Sequence, residues 1–302
     1  MKIIEIEHLK KYFKQVKAVD DITFSVEEGE FFAFLGVNGA GKSTTISVLC
    51  GKEQADSGSV KIAGLSVGEH SAETKRSIGV VFQDSVLDKS LSVYDNLKSR
   101  AALYGVTGAE FEKRLAEISA LLELKELLKR PVGKLSGGQR RRADIARALV
   151  HEPRILILDE PTTGLDPQTR KHVWSVIHAL RKSRGITVFL TTHYMEEAAD
   201  ADRVVILDAG KILANDTPLA LKNAYTGDFV TLWNGEEGTL EKLGIPYERA
   251  GEALRISLKN TAEATELILR YPHLFTDYEI TKGGMDDVFL AVTGKRIGEG
   301  EQ

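Results

Sequence analysis

Three short stretches carry residues able to do phosphate chemistry. Residues 36–44 read Gly-Val-Asn-Gly-Ala-Gly-Lys-Ser-Thr, the pattern G-x-x-x-x-G-K-[ST] with a third glycine at 39. Glycines let a backbone wrap closely round a polyphosphate, and successive N–H groups then form an anion nest at a helix start. Lys42 would meet the β- and γ-phosphates and the Ser43 hydroxyl would ligate Mg²⁺, while Asn38, Gly39, Ala40, Gly41 and Thr44 complete the cradle. Residues 135–139, Leu-Ser-Gly-Gly-Gln, place Ser136 as the cap of a helix with Gly137 and Gly138 in its first turn. Paired glycines weaken a helix start and make sense where something must come close, and open amides there suit a terminal phosphate. Asp159 and Glu160 follow four apolar residues, at the end of a strand where α/β proteins gather their ligands. The cradle alone is shared by GTPases, kinases, motors and transporters.

The elements that must position these residues are legible in the hydrophobic pattern. Residues 31–35 form an apolar run typical of a strand buried on both faces, and a helix over 42–49 follows the glycine loop. Ile4, Ile6, Ile22, Phe24 and Val26 alternate as in half-buried strands. From 86 to 150 the texture is helical, with Leu115, Ile118, Leu121 and Leu122, then Ile145 and Leu149, spaced by three and four. Short buried strands return at 155–158, 187–190 and 204–207, separated by helices, one with Trp174, Ile177 and Leu180 on its apolar face. The fold class is therefore α/β, interrupted by a helical insertion. After 216–218 strands at 229–233 and 254–258 and helices at 262–270 and 286–292 predict a separate small α+β unit. The division is 1–225 for the large domain and 226–302 for the small one, with 294–302 expected to be a disordered tail.

The 302 residues are 42% hydrophobic and 28% charged, as in a well-cored globular chain. A net charge of -4 argues against a broad nucleic-acid surface, so Arg140, Arg141 and Arg142 read as one solvated helical turn. No run reaches the ~18 apolar residues of a membrane helix, and the first residues lack a signal peptide's apolar segment. The single cysteine, Cys50, lies in an apolar helical run and reads as a small buried hydrophobe in a reducing compartment.

Residues 135–139 resemble the signature of the ABC ATPase family, and the resemblance runs over about residues 1–225 in the family's order. It implies a P-loop ABC nucleotide-binding domain with a helical subdomain over about 86–150. It assigns Ser136, Gly137, Gly138 and Gln139 to ATP held by a second subunit, and Asp166, in 164–166, to the contact beside that signature. Asp159 would hold Mg²⁺ through water and Glu160 would act as general base on the attacking water. Gln83 resembles the residue that senses Mg²⁺ and water, and His193 the one that meets the γ-phosphate. Tyr12 stands where the family stacks a ring on adenine, with Val19 counted among the nucleotide contacts. Phe13 replaces a frequent glycine and leaves open which ring stacks.

Residues 191–198, 202–207 and 210–214, the stretch 86–97 and the ending 284–294 resemble ABC-2-type exporters of the drug-resistance, sodium-efflux and daunorubicin kind. The resemblance implies ATP and Mg²⁺ as cofactors, a homodimer closed by two ATP molecules, and a separate transmembrane permease docking near 83–97. It implies no nucleic-acid partner and a cytoplasmic location on the inner face of the membrane. The rival readings are an energy-coupling importer subunit and a soluble ABC ATPase working on ribosomes or DNA. One signature and one cradle in the chain weigh against the second rival.

Overall fold

The structure, a computed structural model, describes residues 1–233 and 235–294. The expected tail therefore lies outside the described residues from 295 onward. All five residues of β3 (Phe31–Leu35) are buried, as its unbroken apolar run requires. Parallel neighbours flank it, β8 (Thr187–Thr192) on one side and β9 (Arg203–Asp208) on the other. Beyond β8 come β7 (Ile155–Asp159) and β6 (Ile78–Val81), also parallel, and beyond β9 the antiparallel β10 (Lys211–Asp216). Because β3, β6, β7 and β8 run the same way, residues 36, 83, 159–160 and 193 all emerge at one edge of the sheet. That edge is where parallel α/β sheets bind ligands.

A second, antiparallel sheet holds β1 (Lys2–Phe13), β2 (Val16–Glu27), β4 (Ser57–Ile62) and β5 (Leu65–Ser66) in the order β2-β1-β4-β5. Its alternating apolar residues, Ile4, Ile6, Ile22, Phe24 and Val26, pack with Phe32 and Phe34 of β3 and with Ile46, Val48 and Leu49 of α1 (Lys42–Leu49). Phe24 stacks on Phe32 with ring centroids 5.2 Å apart. Cys50, at the end of α1, is buried in this core, which pushes its thiol up to about 12. A short helix, α2 (Ser71–Arg76), leads into β6. The insertion comprises α3 (Val93–Ala102), α4 (Gly108–Leu121) and α5 (Gly137–Leu149), and Leu115, Ile118, Ile145 and Leu149 face the main core as their spacing predicts. Helices α6 (Pro167–Arg184), α7 (Met195–Ala198) and α8 (Pro218–Tyr225) cover the sheet downstream.

A third sheet, β12-β13-β11-β14, is antiparallel: β11 (Asp228–Leu232), β12 (Glu248–Ala250), β13 (Ala253–Leu258) and β14 (Tyr278–Lys282). Val230, Leu232, Leu254 and Ile256 form its own core with Leu240 of α9 (Glu237–Leu243) and Ala264 of α10 (Thr261–Arg270). The final helix, α11 (Met285–Thr293), corrects one expectation. Met285, Val288 and Phe289 belong to the main core, and α11 packs on α7, α8, β9 and β10 instead of on the small sheet. The arginine run corrects another: Arg141 is 6% exposed, its guanidinium enclosed by backbone carbonyls, while Arg140 and Arg142 stay half-buried beside it.

Candidate functional site

The glycine loop joins β3 to α1 without a side-chain cap on the helix, unlike α5, α6 and α8, each capped by its own side chain. Gly41 has φ +110°, and a Cβ there would lie 2.2 Å from the Ala18 carbonyl oxygen, so no other residue fits. Asn38, Gly39 and Ser43 are exposed, Thr44 is half-buried, and Ala40 and Lys42 are buried. The Lys42 ammonium donates to the carbonyl oxygens of Gly36 at 2.6 Å and Val37 at 3.2 Å and lies 3.6 Å from Glu160 Oε1. Burial lowers its affinity for the proton, and Glu160 and Asp159 partly restore it.

Asp159 ends β7, and its Oδ1 accepts a 2.6 Å bond from the Thr191 hydroxyl on β8. Burial raises its pKa, with Thr191 and Lys42 acting against that rise. Glu160 follows at φ +46°, a left-handed conformation uncommon for a side chain of this kind. Its N–H donates to Thr191 O at 3.0 Å, and its Oε2 accepts from Thr163 Oγ1 at 3.2 Å. His193 Nδ1 approaches the same Oε2 at 3.2 Å, outside hydrogen-bonding geometry. The His193 ring lies against Tyr194, and the Arg170 guanidinium sits 4.3 Å from the Tyr194 ring centre. Lys42, Asp159, Glu160 and His193 thus form one constellation. Gln83 is exposed just beyond β6 on the same sheet edge.

The signature residues form the start of α5. Ser136 and Gln139 form a reciprocal capping box: Ser136 Oγ accepts from the Gln139 N–H, and Gln139 Oε1 from the Ser136 N–H. The two glycines separate in meaning. A Cβ on Gly138 would lie 2.3 Å from the Thr169 methyl, so the start of α6 already fills that space. A Cβ on Gly137 would meet only Leu165, at 3.4 Å, leaving this residue open to close approach from outside. Asp166 caps α6, accepting from the Thr169 N–H at 3.0 Å and hydroxyl at 2.5 Å. These bonds hold its carboxyl below the usual range.

Near the end of β1 the Tyr12 hydroxyl donates to Asp20 Oδ1 at 2.5 Å, which pushes its pKa up to about 12. Phe13 is 44% exposed at the end of β1. Val19 is enclosed in the second core at 0% exposure, so its side chain backs the loop and offers no surface to a nucleotide. Glu197 escaped the sequence reading. Its buried carboxylate accepts from Thr162, from Thr192 Oγ1 at 2.6 Å and from Trp174 Nε1 at 3.2 Å. It ties the segment after Glu160 to the end of β8 beneath His193. The signal was one acidic residue among several in 196–202, with nothing in the spacing to mark it as buried.

A phosphate cradle, a strand-end carboxylate pair, a histidine at the next strand end and a capped signature helix define an ABC ATPase. Residues 19–163 match the family described as ABC transporter. The chain is 34% identical over 312 residues to the Nod factor export ATP-binding protein I of Ralstonia nicotianae, covering 98% of this chain and 95% of that one. It is 40% identical over 229 residues to the linearmycin resistance ATP-binding protein LnrL of Bacillus subtilis, covering 76% and 73%. Among solved structures it is similar to cbiO1 of Clostridium perfringens, part of an ABC transporter complex, with TM-score 0.68, 31% identity and 73% and 90% coverage. It is also similar to an ATP-binding cassette solved as a dimer after hydrolysis with ADP and Pi, with TM-score 0.65, 26% identity and 71% and 98% coverage. The chain belongs to the ABC transporter family as an ATP-hydrolysing, nucleotide-binding subunit. Among the described residues no helix is long and apolar enough to cross a membrane.

Proposed function

We propose that this chain powers an exporter: two copies close on two ATP molecules, hydrolyse them and reopen, driving a separate permease at the inner membrane face. The observation that carries the catalytic assignment is Glu160, whose two oxygens face Lys42 at 3.6 Å and His193 at 3.2 Å. A γ-phosphate entering the cradle would draw the Lys42 ammonium from the Gly36 and Val37 carbonyls. Glu160, released from that ion pair, accepts a proton from the attacking water as the water oxygen bonds to phosphorus and the bond to ADP breaks. With nucleotide bound, a small turn of the His193 ring would let one nitrogen donate to Glu160 and the other meet the phosphate. Mg²⁺ suits the oxygen donors present, the Ser43 hydroxyl, Asp159 with one oxygen held by Thr191, and the Gln83 amide, and it would neutralise phosphate charge.

The terminal phosphate of each ATP would be completed by Ser136, Gly137 and Gln139 of the other copy, with Asp166 fixing the start of α6 beside that tip. Tyr12 and Phe13, at the end of β1, are the rings that would meet the base. The Tyr12 ring, tethered to Asp20, would supply a fixed platform, and Phe13, with the Lys11 ammonium 5.2 Å from its ring centre, a more exposed one. The export direction rests on relatives named for Nod factor export and for linearmycin and daunorubicin resistance.

Replacing Glu160 by Gln removes the base and leaves the binding groups. With ATP and Mg²⁺ the E160Q chain should double its mass in solution, and with ADP it should not. An E160Q chain that stays single at high concentration with ATP would overturn the sandwich. Permease docking near residues 83–97 is tested at Asp84, which is exposed; the Asp88 carboxylate is committed to Ser90 in its own turn. Asp84→Lys should abolish co-purification with the permease while leaving ATP affinity intact, and unaltered co-purification would move the docking surface elsewhere.

A further inference from the structure

Helix α5 carries its signature tip at one end and three buried charged residues along one face. Arg141, Asp144 and Arg147 are spaced by three and are 6%, 3% and 9% exposed. All three bond to the segment 80–85, which contains Gln83. Arg147 Nη2 donates to Val80 O at 2.8 Å, Arg141 Nη1 donates to Phe82 O at 2.5 Å, and Asp144 Oδ1 accepts from Ser85 Oγ at 3.0 Å. Arg141 reaches further: its Nε donates to Pro161 O, and its Nη2 to Glu160 O at 3.1 Å and Asp159 O at 3.4 Å. One guanidinium therefore holds four carbonyls, on both sides of the catalytic edge.

We propose that Arg141 is a positioning residue that makes α5 a rigid link between two ATP sites, holding Gln83 and Glu160 of its own site in register with the tip that covers the partner's nucleotide. The planar guanidinium is suited to this, presenting five donors in a fixed fork, where an ammonium has a single centre. Glu160 needs such support, since its backbone is held at φ +46° and three consecutive carbonyls, 159–161, point at one cation. Burial of the arginine costs hydration that these contacts and the carboxylates of Asp144, Asp159 and Glu197 offset, so losing the contacts leaves a buried charge poorly satisfied. A shift of the tip when the opposite site closes is carried to Glu160 and Gln83 as a displacement of one body.

The proposal rests on the ATP sandwich, and the test separates the two. Full-length chains carrying Arg141→Met and Arg141→Lys are compared with the parent for ATP binding, single-turnover hydrolysis and the dependence of steady-state rate on ATP. Displacing the general base by about 1 Å should slow hydrolysis by roughly a hundredfold in R141M with ATP affinity unchanged. R141K, which keeps one or two of the carbonyls, should recover part of the rate. In both variants the Hill coefficient should fall toward 1. A parental rate and Hill coefficient in R141M would overturn the proposal. So would a joint loss of ATP affinity and melting temperature with no rescue by lysine, which makes Arg141 a scaffold residue. If R141M does not fold, R141K alone decides between the same outcomes. Failure of E160Q to dimerise with ATP sinks the sandwich itself, whatever Arg141 does to the rate.

Discussion

At residue scale the site gathers its reactivity from backbone constraint and burial. Glu160 lies in the left-handed region, where a residue with a Cβ costs about 1–2 kcal/mol, and the Thr191, Thr163 and Arg141 bonds hold it there. Away from the site, His151 is a second constrained group. It is 9% exposed, its Nε2 meets Ile78 O at 3.0 Å, and its ring stacks on Tyr104. Burial, with Arg100, Arg147 and Arg114 nearby, lowers its pKa to about 4 from 6.5. The unfolded chain then takes up a proton below 6.5 that the native chain refuses. This contribution to stability is whole above 6.5 and is lost as pH falls toward 4. Between about pH 7 and pH 5 it amounts to ~2 kcal/mol. His151→Gln keeps a donor for Ile78 and removes the titration. Urea unfolding at the two pH values should show the parent losing more stability than the variant by that amount. Equal losses would show that His151 does not govern the acid limb.

At the scale of elements, α11 belongs to the large core although its sequence follows the small sheet. Phe289 is 1% exposed in the main cluster, so Phe289→Ala should cost about 3–5 kcal/mol, read as a lower denaturant midpoint at unchanged slope. A cost below about 1 kcal/mol would mean that the helix end rests loosely on the core. The same helix shows where sequence reading stops. Met285, Val288 and Phe289 mark an apolar stripe, but periodicity reveals a stripe and not the surface that covers it. The arginine triplet fails for a related reason. Three consecutive arginines look alike in sequence whether water or a strand end faces each of them, and only the parallel sheet brings the 80–85 segment under Arg141 of α5. The cradle, the carboxylate pair and the signature were legible because their chemistry demands particular residue types at contiguous positions. Val19, named among the nucleotide contacts, is enclosed in the second core, because sequence alone does not say which way an alternating strand points its side chain.

At the scale of the whole molecule, one sheet edge collects groups from residues 36 to 193, while the third sheet keeps a separate core and is bound back by α11. In the sandwich proposed above two such molecules would close on nucleotide, and following that closure requires reporters at known places. Cys50 makes that simple. Buried under the second sheet with its thiol raised to about 12, it should ignore a thiol reagent in the native chain and titrate as one group after denaturation. Rapid native labelling would show that the α1 end opens readily. With the native thiol chemically silent, a single cysteine introduced at the exposed Gly137 or Asn38 becomes the sole attachment point for a spin label or dye, and inter-copy distances can be timed through the catalytic cycle without first stripping the wild-type background.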